Sequence, residues 1–270
     1  MLTLNEKDRV LLRGKKLFLL DMDGTLYLGE QLFPGTLDFL RLVRERGGDY
    51  RYLTNNSSRS ADHYVEKLGR LGIAAETGDF CTSVDAAIAY LRSHPTPGEI
   101  YVMGTASFRA QLRAAGLPVT ERVGEGVSCL LLGYDTELNY RKLEDACLLL
   151  QRPELTYLAT NPDWVCPTEW GYVPDCGSVA WMLEKATGRA PRFLGKPEPD
   201  MVHAAVAQAL FRPEETLMIG DRLYTDIAAG VNAGVDTLLV LSGESTLEDI
   251  GEVQPRFVLP DIRTLYDILK

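Results

Sequence analysis

The chain has 270 residues, 46% of them hydrophobic and 9% aromatic, which is the composition of a globular protein with one large or two smaller cores. Its 28 Lys and Arg residues against 38 Asp and Glu residues give a formal charge of −10, which opposes binding to nucleic acid or an anionic membrane. Five widely spaced cysteines without a C-x-x-C pair favour neither a disulfide framework nor a zinc site. Because no apolar run reaches the ~18 residues that span a bilayer, the sequence predicts a cytoplasmic protein without a nucleic-acid or membrane partner.

The first eighty residues alternate short β-rich runs with amphipathic runs. A strand is predicted over 17–21, and the helix after it can begin at Pro34 and ends at Gly47-Gly48. The run DYRYLTNNSS predicts a second strand that ends in polar residues, and a second helix follows over about 60–71. This alternation is typical of βαβ units that form a parallel sheet with helices on both faces.

The middle of the chain carries an alternation of its own. Helices are predicted in SVDAAIAYLRSH, ASFRAQLRAAG and NYRKLEDACLLLQ, and strands in EIYVMG, SCLLLGY and LTYLAT. The first pattern then resumes in RFLG, TLMIGD, DTLLVL and RFVL. We therefore predict an α/β protein with a Rossmann-like, doubly wound parallel sheet formed by residues 1–80 and 191–270, and an inserted α/β domain over 81–190.

Polar residues of complementary chemistry follow four of the predicted strands. In an open parallel sheet the ligand site lies beyond the carboxyl ends of the strands, so these residues are the candidates for a shared site. They are Asp21, Asp23 and Gly24 after the first strand, Thr54, Asn55 and Asn56 after the second, Lys196 after RFLG, and Asp221 with Asp226 after TLMIG.

The chemistry of these residues favours a metal and a phosphate. Clustered carboxylates need a counter-charge, and Mg²⁺ prefers oxygen ligands together with water and a phosphate oxygen. Lys196 adds a positive charge, while Thr54, Asn55 and the amides around Gly24 can donate hydrogen bonds. Each element alone is also typical of a turn, a helix cap or a surface lysine. The coincidence of all four strand ends favours a site.

The motifs DMDGTL, TNNSS, GKPEP and GDRLYTDI, in this order, resemble those of the haloacid dehalogenase-like hydrolases. ATNPD and GSVAWMLEKATGR resemble the branch with a large α/β cap, which includes 4-nitrophenylphosphatase and phosphoglycolate, pyridoxal phosphate, nucleotide and sugar phosphatases. The resemblance implies that residues 81–190 are a cap and that the chain could form a homodimer through it. YVPDCGS departs from the resembling pattern, since Asp175 and Cys176 stand where a Pro-Gly type turn is common.

The resemblance also implies a role for each residue. Asp21 is expected to be the nucleophile and Asp23 the general acid and base, with Mg²⁺ held by Asp21, Asp221 and the backbone carbonyl of Asp23. The phosphoryl group is expected to contact three residues, Thr54, Asn55 and Lys196. The supporting residues are Asp226, Gly24 and Asn56.

The expected function is Mg²⁺-dependent hydrolysis of small phosphate monoesters through an aspartyl-phosphate, with a small phosphorylated metabolite as the partner. Two alternatives share the same strand-end chemistry. One is a phospho-acceptor module that does not hydrolyse its phosphate, like a receiver domain. The other is a mutase that transfers the phosphoryl group to a second substrate rather than to water.

Overall fold

The computed structural model describes residues 4–168 and 170–270, and its contacts divide the chain into two compact units. The first unit comprises residues up to Thr54, Tyr64–Cys81 and Lys196–Lys270. The second comprises Asn55–His63 and Thr82–Gly195. Among the described residues, no helix combines the length and the apolar character that crossing a bilayer requires.

The α-helices of the described residues are α1 (Glu6–Arg13), α2 (Thr36–Glu45), α3 (Ala61–Arg70), α4 (Ser83–Ser93), α5 (Ala106–Ala114), α6 (Tyr140–Leu150), α7 (Cys176–Thr187), α8 (Asp200–Ala209), α9 (Ala228–Asn232) and α10 (Ile262–Leu269). The strands are β1 (Leu17–Leu20), β2 (Tyr27–Leu28), β3 (Gln31–Leu32), β4 (Asp49–Thr54), β5 (Phe80–Thr82), β6 (Glu99–Met103), β7 (Val119–Thr120), β8 (Val127–Leu132), β9 (Thr156–Ala159), β10 (Val165–Thr168), β11 (Gly171–Pro174), β12 (Arg192–Phe193), β13 (Thr216–Gly220), β14 (Asp236–Val240) and β15 (Phe257–Leu259).

The sheet of the first unit has six strands in the order β15-β14-β13-β1-β4-β5. Taken in chain order, this is the 3-2-1-4-5-6 arrangement of a Rossmann-like sheet, with β1 at the reversal of strand order beside β13. The pairs β1–β13, β1–β4, β13–β14 and β14–β15 are all parallel. The predicted α/β fold is therefore confirmed, and the reversal point is where such sheets bind their ligands.

The central strands are buried along their whole length. All four residues of β1, Leu-Phe-Leu-Leu, are buried, and so are all five residues of β13. A strand with helices on both faces buries both sets of side chains, so its sequence is continuously apolar rather than alternating. The first polar side chain after each strand consequently lies at the edge of the sheet, where water and ligands have access.

The second unit contains a five-stranded sheet in the order β12-β9-β8-β6-β7, with parallel pairing throughout. Apolar side chains of α6 and α7 pack on one group of its residues, which includes Leu130 and Leu132. Side chains of α4 and α5 pack on a second group, which includes Cys129 and Leu131. Because neighbouring residues of a strand face opposite sides of a sheet, these groups are the two cores of a second α/β layer structure.

Two predicted elements lie elsewhere than the sequence suggested. The RFLG run was expected in the first sheet, but its strand β12 pairs with β9 of the second sheet. The reason is packing: Phe193 contacts the core beneath α6 and α7, whereas Leu194 is buried in the core of α4 and α5. Helix α2 begins at Thr36 rather than Pro34, after an antiparallel β2–β3 pair that the sequence analysis did not predict.

Candidate active site at the carboxyl ends of the first sheet

Three carboxylates meet beside the reversal point of the first sheet. Asp21 follows β1, Asp221 follows β13, and Asp226 lies five residues farther along. Each offers one carboxylate oxygen, and these oxygens lie within 4.8 Å of one another. The sequence prediction that separate strand ends bring acids together is thus matched by the geometry of these three residues.

One ammonium group, that of Lys196, pairs with two of the three acids. Nζ of Lys196 donates to Asp21 Oδ1 at 2.7 Å, to Asp226 Oδ1 at 2.6 Å and to the Leu53 carbonyl at 3.1 Å. The side chain is only 2% exposed, so burial opposes its charge, but Asp21 and Asp226 outweigh this effect and raise the pKa of the ammonium. With all acids ionised, one cation among three carboxylates leaves an excess of two negative charges.

Burial and mutual repulsion raise the pKa values of two of these acids. Burial, followed by the charge of Asp226, raises the pKa of Asp221 to about 7. Burial and the same neighbour also raise the pKa of Asp21 well above its ordinary value, although Lys196 acts in the opposite direction. A raised pKa means that the ionised form of each carboxyl group is disfavoured in the folded chain. A further positive charge beside the carboxylates would favour the ionised form.

The donor set fits a hard divalent cation. Asp221 Oδ2 accepts the Glu244 N–H at 2.7 Å, whereas the buried Asp221 Oδ1 has no hydrogen-bond partner. An unpartnered buried carboxylate oxygen is costly unless a cation or water satisfies it. A divalent ion would satisfy this oxygen and balance the two excess charges, and carboxylate oxygens are the ligands that Mg²⁺ prefers.

Two glycines allow the backbone to approach Asp221. A Cβ atom at Gly24 would lie 2.4 Å from Asp221 Oδ2, and one at Gly243 would lie 1.9 Å from the same oxygen. Gly24 also has φ = +85°, in the left-handed region that other residues rarely adopt. The glycine after the second aspartate of DMDGTL is therefore required by the space around a carboxylate of a distant strand.

Replacing Gly24 with Ala should raise the Mg²⁺ concentration needed for half-maximal activity, and lower turnover, by about tenfold or more, because the new methyl group displaces the Asp221 carboxylate. Gly29→Ala is the matched control: Gly29 also has positive φ (+60°), but its Cβ would meet no atom within 4 Å. Magnesium titration of turnover for both variants checks this. Equal losses in the two variants would mean that backbone strain, not the contact with Asp221, is responsible.

Asp226 is brought back to the cluster by a wide helical turn. Residues Leu223–Ile227 form one π-helical turn before α9, with the N–H of Ile227 bonded to the carbonyl of Arg222. Asp226 Oδ2 accepts the Arg222 N–H at 3.1 Å, which leaves Oδ1 for Lys196. Such turns are frequent at functional sites because they redirect a side chain. Asp226, expected as a supporting residue, is therefore held in contact with Lys196.

The Asp23 carboxyl group is not a member of the cluster of three acids. Its oxygens lie 3.5 Å from Lys67 Nζ and 3.4 Å from the hydroxyl of Tyr27. Partial burial raises the pKa of Asp23 although its side chain is 40% exposed, while Lys67 and then Tyr27 act to lower it. An acid near a reacting group must be able to hold a proton, so the raised pKa suits the role expected for Asp23.

The TNNSS segment is divided between the units. Thr54 ends β4 in the first unit, directly after Leu53, whose carbonyl accepts from Lys196. Asn55 belongs to the second unit, where its Nδ2 donates to Asp163 Oδ2 at 2.7 Å. Asn56 accepts the backbone N–H and the hydroxyl of Ser58 in a local turn.

Asp163, which accepts from Asn55 of this segment, was not among the site residues predicted from the sequence. It is 2% exposed and also accepts from Asn161 Nδ2 at 2.7 Å, which in turn lies 3.2 Å from Asp175 Oδ1. Asp175, noted as a departure from the resembling pattern, accepts the first N–H of α7 and so begins that helix. The ATNPD motif was a signal that could have identified the network, because a buried carboxylate requires buried donors.

Comparison with known proteins agrees with the resemblance in the motifs. A family profile described as haloacid dehalogenase-like hydrolase matches residues 18–118, and a second, described as HAD-hydrolase-like, matches residues 193–265. The acid sugar phosphatase of Staphylococcus aureus is 33% identical over 249 residues, which cover 92% of this chain and 95% of that protein.

Solved structures agree as well. A 4-nitrophenylphosphatase from Thermotoga maritima superposes with a TM-score of 0.89 at 36% identity and covers 96% of this chain and 99% of its own. Glycerol phosphate phosphatase from Mycobacterium tuberculosis, solved in complex with magnesium, has a TM-score of 0.86 at 32% identity, covering 95% of this chain and 78% of its own. With its motifs, its fold and these relatives in agreement, the chain belongs to the haloacid dehalogenase-like hydrolase family.

Proposed function

We propose that the chain is a Mg²⁺-dependent phosphatase that hydrolyses small phosphate monoesters through an aspartyl-phosphate on Asp21. The observation that carries the proposal is the cluster of Asp21, Asp221 and Asp226 with one ammonium group, which pairs with two of these acids and leaves two negative charges in excess. A divalent cation and a phosphate fit such a site better than any neutral ligand. The named relatives, which act as phosphatases, support the reaction class.

The metal would be held by Asp21, Asp221 and the backbone carbonyl of Asp23. When bound, Mg²⁺ would supply charge neutralisation for the phosphate oxygens and lower the repulsion that an anionic substrate meets at an acidic site. Asp226 supports this arrangement indirectly, because it shares Lys196 with Asp21. Gly24 leaves room for the Asp221 carboxylate.

The chain's own residues carry two steps. First, a carboxylate oxygen of Asp21 forms a bond to phosphorus, the bond from phosphorus to the ester oxygen breaks, and the Asp23 carboxyl gives its proton to that oxygen. In the second step the Asp23 carboxylate takes a proton from water as the water oxygen bonds to phosphorus. The bond between phosphorus and Asp21 then breaks, and Asp23 is left protonated for the next cycle.

The transferring phosphoryl group would be held by Thr54 and Lys196. Both lie in the first unit, and Lys196 Nζ is already 2.7 Å from Asp21 Oδ1, the candidate nucleophile. Asn55, the third residue expected to contact the phosphoryl group, donates its side-chain amide to Asp163 within the second unit. Fixed donors of this kind lower the barrier mainly by positioning and by charge stabilisation.

The inserted unit is proposed to be a cap that selects the leaving group, with the core formed by residues 1–80 and 191–270 and the cap by 81–190. It carries its own sheet and two apolar cores, which a phosphate site alone does not require. The substrate class is a small phosphorylated metabolite, as the names of the relatives suggest for sugar phosphate and glycerol phosphate.

The setting proposed for the enzyme is the cytoplasm, because all five cysteines are free. A homodimer through the cap is supported by five exposed aromatic side chains among the described residues of the second unit, Tyr140, Trp164, Trp170, Tyr172 and Trp181. Sedimentation velocity would contradict the dimer by showing a monomer of 30.0 kDa.

The purified chain should release inorganic phosphate from 4-nitrophenyl phosphate and from a panel of sugar, glycerol and nucleoside phosphates, over many turnovers. A chelator should abolish release and added Mg²⁺ should restore it. Magnesium at about 100 times its Kd should also raise the free energy of unfolding by about 2.7 kcal/mol. One retained phosphate per chain without turnover would instead identify a phospho-acceptor, and transfer to a second alcohol without free phosphate would identify a mutase.

A further inference from the structure

Lys67, Tyr27 and Asp23 form a small cluster of three mutually contacting side chains. Lys67 Nζ lies 3.5 Å from one carboxylate oxygen of Asp23, and the Tyr27 hydroxyl lies 3.4 Å from the other. The ammonium also stands 4.1 Å from the centre of the Tyr27 ring. Each member of the cluster therefore restrains the other two.

Tyr27 is rigidly held. Its side chain is fully buried, its backbone pairs with Leu32 in the short β2–β3 hairpin, and its carbonyl accepts the Gly24 N–H at 2.8 Å. A tyrosine that is fixed at both its backbone and its ring presents its hydroxyl at one place. The ring therefore has a fixed position beside Asp23, at the start of the strand β2 that follows the loop carrying Asp21.

Lys67 comes from a different element, helix α3, where a basic residue in the last turn would ordinarily serve the helix dipole. Here the side chain instead extends to Asp23 and lies over the ring of Tyr27, with 15% of its surface exposed. An ammonium between a carboxylate and an aromatic face gains both charge attraction and a cation–π contact. These contacts order a long, flexible side chain and so reduce its rotamer entropy. A solvated surface lysine does not lose this entropy.

We propose that Lys67 and Tyr27 are positioning residues that hold the Asp23 carboxyl in the orientation from which it transfers protons to the leaving oxygen and from water. This inference rests on the proposed function, in which Asp23 is the acid and base. It assigns to the reaction two residues outside the four sequence motifs.

The lengths of the contacts agree with a positioning role. Lys196 makes ion pairs of 2.6 and 2.7 Å, whereas Lys67 lies 3.5 Å from Asp23. The two oxygens of Asp23 are instead contacted from two different elements, by Lys67 of α3 at 3.5 Å and by Tyr27 of β2 at 3.4 Å. Longer contacts on both oxygens restrict rotation of the carboxyl group while its side chain, 40% exposed, stays accessible to a substrate.

The test compares two substrates that differ in their need for a proton. The 4-nitrophenolate leaving group departs as an anion, whereas the alkoxide of glycerol phosphate must be protonated. Because kcat/KM includes only the steps up to release of the alcohol, it reports this first proton transfer. Lys67→Met should lower kcat/KM for glycerol phosphate by about tenfold or more, and that for 4-nitrophenyl phosphate by less than about threefold.

Three further variants isolate the cause. Tyr27→Phe keeps the buried ring and should show the same substrate dependence with a smaller loss, while Lys67→Arg should recover much of the activity because it retains a cation. Arg70→Met is the matched control, because Arg70 lies on the same helix and pairs with Glu30 at 3.3 Å, with both side chains 54% exposed. It should change neither substrate's kcat/KM by more than about twofold.

Several outcomes would overturn the inference. Equal losses on both substrates, or a loss accompanied by a weaker competitive inhibition by inorganic phosphate, would assign Lys67 a structural or phosphate-binding role. No loss in Lys67→Met would remove it from the reaction. The Asp23→Asn variant distinguishes failure of this inference from failure of the proposed function. If Asp23→Asn also fails to lose more kcat/KM for glycerol phosphate than for 4-nitrophenyl phosphate, the role assigned to Asp23 is wrong. If only Lys67→Met fails to show this difference, the positioning role of Lys67 is wrong.

Discussion

The Asp21→Asn variant should lose at least about 10³-fold in turnover of 4-nitrophenyl phosphate while it remains folded. Asn has nearly the same shape as Asp, but its amide oxygen cannot form the covalent bond to phosphorus that the proposed reaction requires. A residual rate from the other residues is expected, because positioning and charge stabilisation survive the substitution. Retained turnover would remove Asp21 from its assigned role.

Unfolding of the metal-free protein provides the folding control for this variant. Burial and the neighbouring carboxylates raise the pKa of Asp21, which means that its ionised form is disfavoured in the folded chain. Removing the charge should therefore leave the free energy of unfolding unchanged or higher near neutral pH. Lys196 keeps its contact with Asp226 at 2.6 Å, so the buried ammonium retains one carboxylate.

Asp236→Asn is the matched control for Asp21→Asn, because it makes the same change of residue at another aspartate paired with a buried lysine. Asp236 begins β14 of the same sheet and pairs with Lys15 at 2.6 Å, a geometry close to that of Lys196 with Asp21. This variant should keep its turnover, since the pair lies at the amino-terminal side of the strands. Covalent labelling completes the test: substrate phosphate should be trapped on the unaltered chain after rapid denaturation and should be absent from Asp21→Asn.

Much of this site could be predicted from the strand ends. A continuous apolar run followed by Asp indicates a buried strand and the residue at its carboxyl end, and this reasoning located Asp21 and Asp221 without coordinates. The same reasoning placed Lys196 after RFLG and Asp226 after TLMIG, and the resemblance to a known family then implied a role for each. The structure joins these two residues by a contact of 2.6 Å between Lys196 Nζ and Asp226 Oδ1.

What could not be predicted depends on packing between distant segments. Lys67 lies in an ordinary amphipathic helix, and nothing in its neighbours indicates that its ammonium reaches Tyr27 and Asp23. The pairing of Asn55 with Asp163 joins residues 108 positions apart. The strand in RFLG was placed in the wrong sheet because the pattern of a short apolar run allows it to pair with a strand of either sheet. Only the cores that receive Phe193 and Leu194 determine which sheet it joins.

Lys196→Met should lower turnover by about 10²- to 10³-fold, because a donor to the phosphoryl group and the charge beside Asp21 are lost together. It should also destabilise the metal-free protein by roughly 3–5 kcal/mol near neutral pH, since Asp21 and Asp226 would remain buried without their cation. Lys15→Met is the matched control. It removes a buried ammonium that pairs with Asp236 at 2.6 Å in the same sheet, and it should lower stability without lowering turnover.

The pH dependence of the loss of stability in Lys196→Met shows whether the loss comes from the charge of Lys196 or from its packing. The folded-state pKa of Asp221, about 7, lies above its ordinary value of 3.8, so the folded chain binds more protons than the unfolded chain between these values. Stability from this group is therefore present at low pH and is lost as the pH rises through about 7. Lys196 lowers the raised pKa of Asp21, so without this ammonium Asp21 should hold its proton more strongly, and the deficit of Lys196→Met against the unaltered chain should be smaller at pH 5 than at pH 8. Denaturant unfolding without metal at both pH values measures it, and a deficit that does not change with pH would mean that Lys196 stabilises the chain by packing rather than by its charge.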